Sequence, residues 1–358
     1  MHFLADWIDN EPNEILFIYG PKSSGKTTLL MKFIDLYTND NHYNIKHFNL
    51  RKVLIANYID FIQSFFEVDY SKSSSEKKQR SEYSLKVFKL SKEIKKSLEN
   101  KVLDPFAVME QELIKIAKKK RQVIIIDELQ ALEDIYINGQ RELLKELFNF
   151  FVAMTKESHL CHVIIASSDG YFLNRLYEDS KLSKTSIYFQ VDYLSEQDTR
   201  YWLNHLASES NIKDYQLNDS QIDQIWKYFG GSMWEISSLL RELVRCSKNY
   251  AVSDAHIKSK IDHKIEENCG RFEHYAGFRK NRKALLKQIY SCCERDNCFK
   301  PRDMEPMIQK NIFDEDALSD ELNRLVQFNY LAFDPTRSTY QLHGNSMLYG
   351  LQKYINSL

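Results

Sequence analysis

Eight consecutive residues constrain this chain more than any others. Gly20-Pro21-Lys22-Ser23-Ser24-Gly25-Lys26-Thr27 fits GxxxxGK[ST] without a mismatch, between the apolar run Ile15-Leu16-Phe17-Ile18-Tyr19 and a helical periodicity carried by Leu29, Leu30, Phe33, Ile34 and Tyr37. A strand that enters such a turn and leaves it as a helix has few ways to fold. Gly20 and Gly25 let the backbone curl until successive N–H groups point inward, and the helix start adds its positive dipole end. The result is an anion cradle of phosphate size. Lys26 is placed to reach the β- and γ-phosphates of a nucleotide and Thr27 to offer its hydroxyl to Mg²⁺. Pro21, Lys22, Ser23, Ser24 and Thr28 complete the loop around the ligand.

Further strand candidates are Ile45–Leu50, Gln122–Ile126, Cys161–Ala166 and Ile187–Val191, and the runs Gln122–Ile126 and Cys161–Ala166 are almost wholly apolar. Strands of that kind, separated by helical segments long enough for crossovers, predict a parallel sheet covered on both faces. The first domain is therefore an α/β sandwich over residues 1–194. The long stretch between Lys26 and Asp127 leaves room for an extra strand between the two motif strands.

A phosphate cradle of this type needs a second metal anchor at the end of a neighbouring strand, and Val123-Ile124-Ile125-Ile126-Asp127-Glu128 offers one. Asp127 would hold Mg²⁺ through water, with Glu128 as the general base that polarises an attacking water. The run after the fourth strand, Ser167-Ser168-Asp169, falls beside the expected γ-phosphate, and Ser167 is the candidate to orient water or sense phosphate. Gln130 can face the same place.

Between the second and third strands, residues 71–101 hold 10 Lys/Arg and 4 Asp/Glu, with Val87, Leu90, Ile94 and Leu98 on one helical stripe. This predicts a basic helical insertion packed over the sheet edge. Residues 195–275 read as helical throughout, opened by an N-cap at Ser195. Residues 281–358 read as helices followed by a hairpin through Tyr330–Phe333 and Thr339–Leu342, the outline of a winged helix.

Glycine is scarce, 10 in 358 residues, where a share of about 7% is usual, so collagen-like and linker-like readings are excluded. A net charge of −1 gives no global basic field for nucleic acid, and no 18 apolar residues run together, so no membrane span is expected. No leader pattern is visible and the six cysteines lack paired CxxC spacing, which together predict a cytoplasmic protein with reduced thiols.

Three stretches together, Tyr19 to Thr27, Ile125-Ile126-Asp127-Glu128-Leu129-Gln130 and Phe229-Gly230-Gly231-Ser232-Met233-Trp234-Glu235-Ile236, resemble the archaeal-type ATPase family within the STAND class of P-loop NTPases. The resemblance covers nearly the whole chain. It implies ATP and Mg²⁺ as ligands, an ATPase core, a helical lid over 195–275, a C-terminal winged helix over 281–358, and the role of a nucleotide-controlled switch. Met233 stands where the family's lid motif carries proline. No arginine precedes the fifth strand where the family often has one, and Arg175 or Arg200 is the expected substitute. The rival reading is a DNA-binding regulator acting through the winged helix. Residues 281–358 carry 10 Lys/Arg and 10 Asp/Glu, and the groove-facing helix opens with Asp314-Glu315-Asp316. Phosphate neutralisation dominates nucleic-acid affinity, so protein contact or an intramolecular latch is favoured for that region.

Overall fold

The computed structural model describes residues 2–38, 40–68, 88–133, 135–136, 142–170, 172 and 184–358. These divide into two compact units. The first holds the described residues within 2–19, 26–168 and 172–190, and the second those within 20–25, 169–170 and 191–358.

The first unit opens with helix α1 (His2–Asp9), followed by β1 (Ile15–Tyr19), α2 (Lys26–Tyr37) and β2 (Tyr43–Asn49). Then come a 3₁₀ turn at Leu50–Lys52, α3 (Tyr58–Phe65), the short strands β3 (Phe66–Val68) and β4 (Phe88–Leu90), α4 (Lys92–Glu99) and α5 (Pro105–Ala117). β5 (Arg121–Asp127), α6 (Leu143–Val152), β6 (Cys161–Ser167) and β7 (Ser186–Gln190) complete it. Five strands form one parallel sheet in the order β2-β5-β6-β1-β7. The extra strand between the two motif strands is β6. All five residues of β1 and all seven of β6 are buried, as strands covered on both faces must be, whereas β7 at the edge is half-buried throughout.

Helix α1 was not foreseen. It buries Leu4, Trp7 and Ile8; Phe3 stacks on Phe189 with centroids 4.8 Å apart, and Arg121 gathers the carbonyls of Ile8, Asp9 and Asn10 at its end. In the basic insertion, residues 71–87 lie outside the described residues. The remainder corrects the single helical stripe. Leu90 belongs to β4, which pairs with β3 in a small parallel sheet, and α4 starts only after Ser91, whose hydroxyl accepts from the Ile94 amide. Strand pairing there overrides a helical periodicity.

The second unit is helical from α7 (Glu196–Asn204) and α8 (Leu206–Glu209) through α9 (Asp219–Phe229), α10 (Met233–Val244) and the 23-residue α11 (Asp254–Ala276). Ser195 caps α7 as expected, accepting from the Asp198 amide at 3.1 Å. The chain turns at Gly277 into α12 (Lys280–Asp296), then β8 (Cys298–Phe299), α13 (Glu305–Gln309), α14 (Glu315–Gln327), β9 (Leu331–Asp334), β10 (Thr339–Leu342) and α15 (Asn345–Asn356). β8, β10 and β9 form an antiparallel sheet in that order. Beyond the expected hairpin the chain adds α15, which no sequence expectation covers. That helix crosses α11 so closely that a Cβ on Gly350 would stand 2.5 Å from Asn268 Cβ, and Asn268 donates to Ser346 at 3.0 Å. Two apolar clusters result: one around Ile222, Ile236 and Ile257, the other around Phe272, Leu285, Leu325 and Leu351.

Candidate functional site

β1 delivers the chain into the loop Gly20–Gly25, whose conformation demands its glycines. Gly20 has φ +147° and a Cβ there would meet the Val191 carbonyl oxygen at 2.0 Å; Gly25 has φ +100°. Pro21 and Ser24 are buried, the Ser24 amide donating back to the Pro21 carbonyl at 3.2 Å, while Lys22 and Ser23 are exposed. Within the second unit, Lys22 and Ser23 line a cavity of about 350 Å³ with Tyr193, Ser232, Trp234 and Glu235. The pair Gly230 and Gly231 is required by the chain's own packing. A Cβ on Gly231 would overlap the Leu194 carbonyl oxygen, and Gly230 has φ +56° beside Asn345, whose amide donates to the Lys227 carbonyl at 3.2 Å. Met233 holds its sulfur 3.6 Å from where a Gly25 Cβ would be.

In the first unit, α2 begins at Lys26, and its side chain is buried beside the carboxyl end of β5. Burial pushes the Lys26 ammonium down to about 8, against the opposing charges of Glu128 and Asp127. Thr27 and Thr28 follow, both exposed. The Thr27 hydroxyl donates to Asp127 Oδ2 at 3.2 Å. Asp127 ends β5 and is buried, held also by the Asn49 amide, which donates to the same oxygen at 3.2 Å. The residues available for a magnesium ion are thus one carboxylate and one hydroxyl. Such a pair fits an ion that keeps several waters and shares its shell with phosphate oxygens. No cluster of three His, Cys, Asp or Glu side chains suited to a metal occurs among the described residues.

Glu128 follows with φ +65°, ψ +49°, a left-handed conformation that costs energy in a non-glycine residue, while its amide donates to the Ala166 carbonyl at 2.8 Å. This twist turns successive acids apart, Asp127 toward Thr27 and Glu128 toward a second set of partners. Glu128 Oε1 is paired with Arg51 and accepts from Ser168 Oγ at 3.3 Å; Oε2 accepts from the Gln130 amide. Burial raises the Glu128 carboxyl above its ordinary value and the neighbouring Asp127 charge acts the same way, with Arg51, Gln130 and Lys26 opposing. Ser167 is buried and donates to Gln130 Oε1 at 3.0 Å, which connects it to Glu128 through Gln130. Gln130 faces the site.

The expected substitutes for a missing arginine fare differently. Arg175 lies outside the described residues. Arg200 is tied within the helical region to Glu196 at 2.8 Å and Asp223 at 2.6 Å. The arginine found beside Glu128 is Arg51, which the sequence reading missed together with Asn49. The parallel register aligning Asn49 with Asp127 places the turn after β2 level with the residue after β5. Asn49 accepts from the Arg51 amide at 3.0 Å, so one side chain fixes both the turn and the aspartate.

This strand order, with the glycine loop between β1 and α2 and an acidic pair closing β5, defines a P-loop NTPase. Residues 1–239 match the family described as an ATPase domain predominantly from Archaea, and the chain belongs to that family. An uncharacterized ATP-binding protein of Methanocaldococcus jannaschii, MJ1076, is 40% identical over 223 residues, which cover 61% of this chain and 64% of the relative. The chain thus spans just under two thirds of that relative's length. A second from the same organism, MJ1659, is 33% identical across 87% of this chain and 88% of the relative. Among solved structures, the Walker-type ATPase PABY2304 of Pyrococcus abyssi shares the fold with a TM-score of 0.62 at 15% identity, covering 98% of this chain and 94% of that one. No described helix is long and apolar enough to cross a membrane.

Proposed function

We propose that this chain is a Mg²⁺-dependent ATP-hydrolysing switch. The observation that carries the reading is the Thr27–Asp127 contact at 3.2 Å with Lys26 buried beside it, because a hydroxyl, a carboxylate and an ammonium converging at the start of α2 suit a metal-bound triphosphate. Lys26 binds the β- and γ-phosphates, and the backbone amides of Gly20–Gly25 surround them. Thr27 and Asp127 hold Mg²⁺, Asp127 through water. Glu128 accepts a proton from the attacking water, a role its raised basicity suits. Ser167 acts at one remove, by fixing Gln130 against Glu128.

The helical region over 195–275 acts as a lid and 281–358 as a winged helix, both repositioned by nucleotide state. For the latter, a protein contact or intramolecular latch is the better reading than DNA. Glu315, Asp316 and Asp320 on α14 are exposed, and such a face repels a phosphate backbone.

Calorimetric titration with ATP tests the reading: Mg²⁺-dependent binding is expected, weakened at least about tenfold by Lys26→Ala. Binding that ignores both Mg²⁺ and Lys26 overturns it.

A further inference from the structure

We propose that Arg51 is a partner-exchanging cation: it holds the Glu128 carboxylate when no γ-phosphate is bound and moves its guanidinium to the terminal phosphate of ATP, leaving Glu128 open to water. The inference rests on the reading of this site as an ATP site and adds a positioning residue that also senses the phosphate.

Placement comes first. Arg51 stands two residues beyond the end of β2, its guanidinium on Glu128 after β5 and 3.4 Å from Ser168 Oγ after β6. It therefore spans the carboxyl ends of three adjacent strands, the edge where a ligand of a parallel α/β sheet lies. Occupancy comes second. With Arg51 and Ser168 on Oε1 and Gln130 on Oε2, both carboxylate oxygens are engaged, which takes up most of the roughly four lone-pair sites an attacking water would need.

Mobility decides which partner moves. The Arg51 side chain is 54% exposed and that of Glu128 8%. The cation can swing through solvent, whereas the acid is fixed by its left-handed backbone and Gln130. Charge supplies the direction. Arg51 and Lys26 are two cations beside the Glu128 carboxylate, and an incoming polyanion takes up that surplus positive charge. A guanidinium fork suits a phosphate at least as well as a carboxylate, so the exchange replaces one charge-assisted pair by another.

The test measures dissociation constants for Mg·ADP and for a non-hydrolysable Mg·ATP analogue, by calorimetry, in wild type, Arg51→Ala, Arg51→Lys, Glu128→Gln and the Arg51→Ala/Glu128→Gln double variant. Arg51→Ala should weaken the analogue about tenfold and ADP less than about twofold. Arg51→Lys, which keeps the charge without the fork, should fall between. Glu128→Gln removes the competitor and should tighten the analogue severalfold, an effect that vanishes in the double variant. Arg51→Gln, uncharged but of similar reach, must repeat the analogue-specific loss, which keeps the test decisive if alanine unfolds the chain. Equal weakening of both nucleotides, no weakening of either, or a Glu128→Gln effect of the same size in both backgrounds overturns the exchange while leaving the ATP site standing. Failure of the wild type to bind either nucleotide overturns the site and the exchange together.

Discussion

The two units each contain an arginine–glutamate pair, and they are built to opposite ends. Arg282 and Glu321, between α12 and α14, bury both partners, with side chains 12% and 13% exposed and a contact of 2.8 Å. The Arg282 guanidinium lies over the Tyr275 ring at 4.6 Å and donates to its carbonyl; Glu321 also accepts from the Tyr275 hydroxyl at 2.5 Å and from Arg324 at 3.2 Å. In Arg51–Glu128 only the acid is buried. The carboxyls respond in opposite directions. Burial raises both, yet hydrogen bonds from Arg282 and Tyr275 hold Glu321 below its ordinary value, whereas Glu128 stays above it. An ion pair buried on both sides cements a core; one whose cation stands half in solvent leaves the acid as its fixed partner.

The sharpest way to break this contrast is to neutralise each acid in turn. Glu128→Gln should lower ATP turnover by about 10²–10⁴-fold with little change in unfolding free energy. Glu321→Ala should leave turnover intact and cost roughly 3 kcal/mol in urea unfolding, because it strands a buried guanidinium. Equal stability losses at both positions would erase the distinction.

Acid titration separates the units further. Burial, with the Arg121 charge adding to it, pushes His162 down to about 4 from an ordinary 6.5, on β6 beside Trp7. The unfolded chain therefore binds the extra proton between these values. Stability is unaffected above pH 6.5 and falls as pH drops toward 4, by roughly 3 kcal/mol at most. His162→Gln should flatten that slope in pH-dependent unfolding. The Glu321 contribution runs on a separate window: its carboxyl is depressed, so its stabilisation is present above pH 4.5 and is lost only as pH falls below that. A smaller effect is expected at Asn49. Asn49→Ala removes the donor to Asp127 and the acceptor for the Arg51 amide, and should slow turnover about five- to tenfold, the equivalent of one hydrogen bond of about 1 kcal/mol.

The glycine loop, the buried strands and the acid pair were legible because their chemistry is local. Gly20 to Thr27 is one contiguous motif, and Asp127-Glu128 ends an apolar run that has no other use for charge. Arg51 was illegible because its importance comes from β2 lying next to β5, a pairing no spacing within either strand reveals; strand β2 is also mostly half-buried and lacks the apolar signature. The signal was present in one form. Once β2 is taken as the neighbour of β5, counting past Asn49, the partner of Asp127, reaches Arg51 within one residue of the level of Glu128. Ser167 was half legible: its strand-end position could be read, its dependence on Gln130 could not. Arg200 misled because a helix offers a charged side chain an acid one turn away, here Glu196, and that local option outcompetes a distant phosphate.

Helix α11 has a mechanical consequence. At about 1.5 Å per residue its 23 residues make a rod of roughly 34 Å. Ile257 and Ile261 near one end belong to the apolar cluster of the helical region, and Phe272, Tyr275 and Ala276 at the other belong to the cluster with the antiparallel sheet. Neither cluster can turn without carrying the shaft, and α15, seated at the glycine-sized notch of Gly350, braces it from the side. Geometry alone sets the scale for such a rod: a rotation of about 10° about one end carries the other through roughly 6 Å, the height of one helical turn.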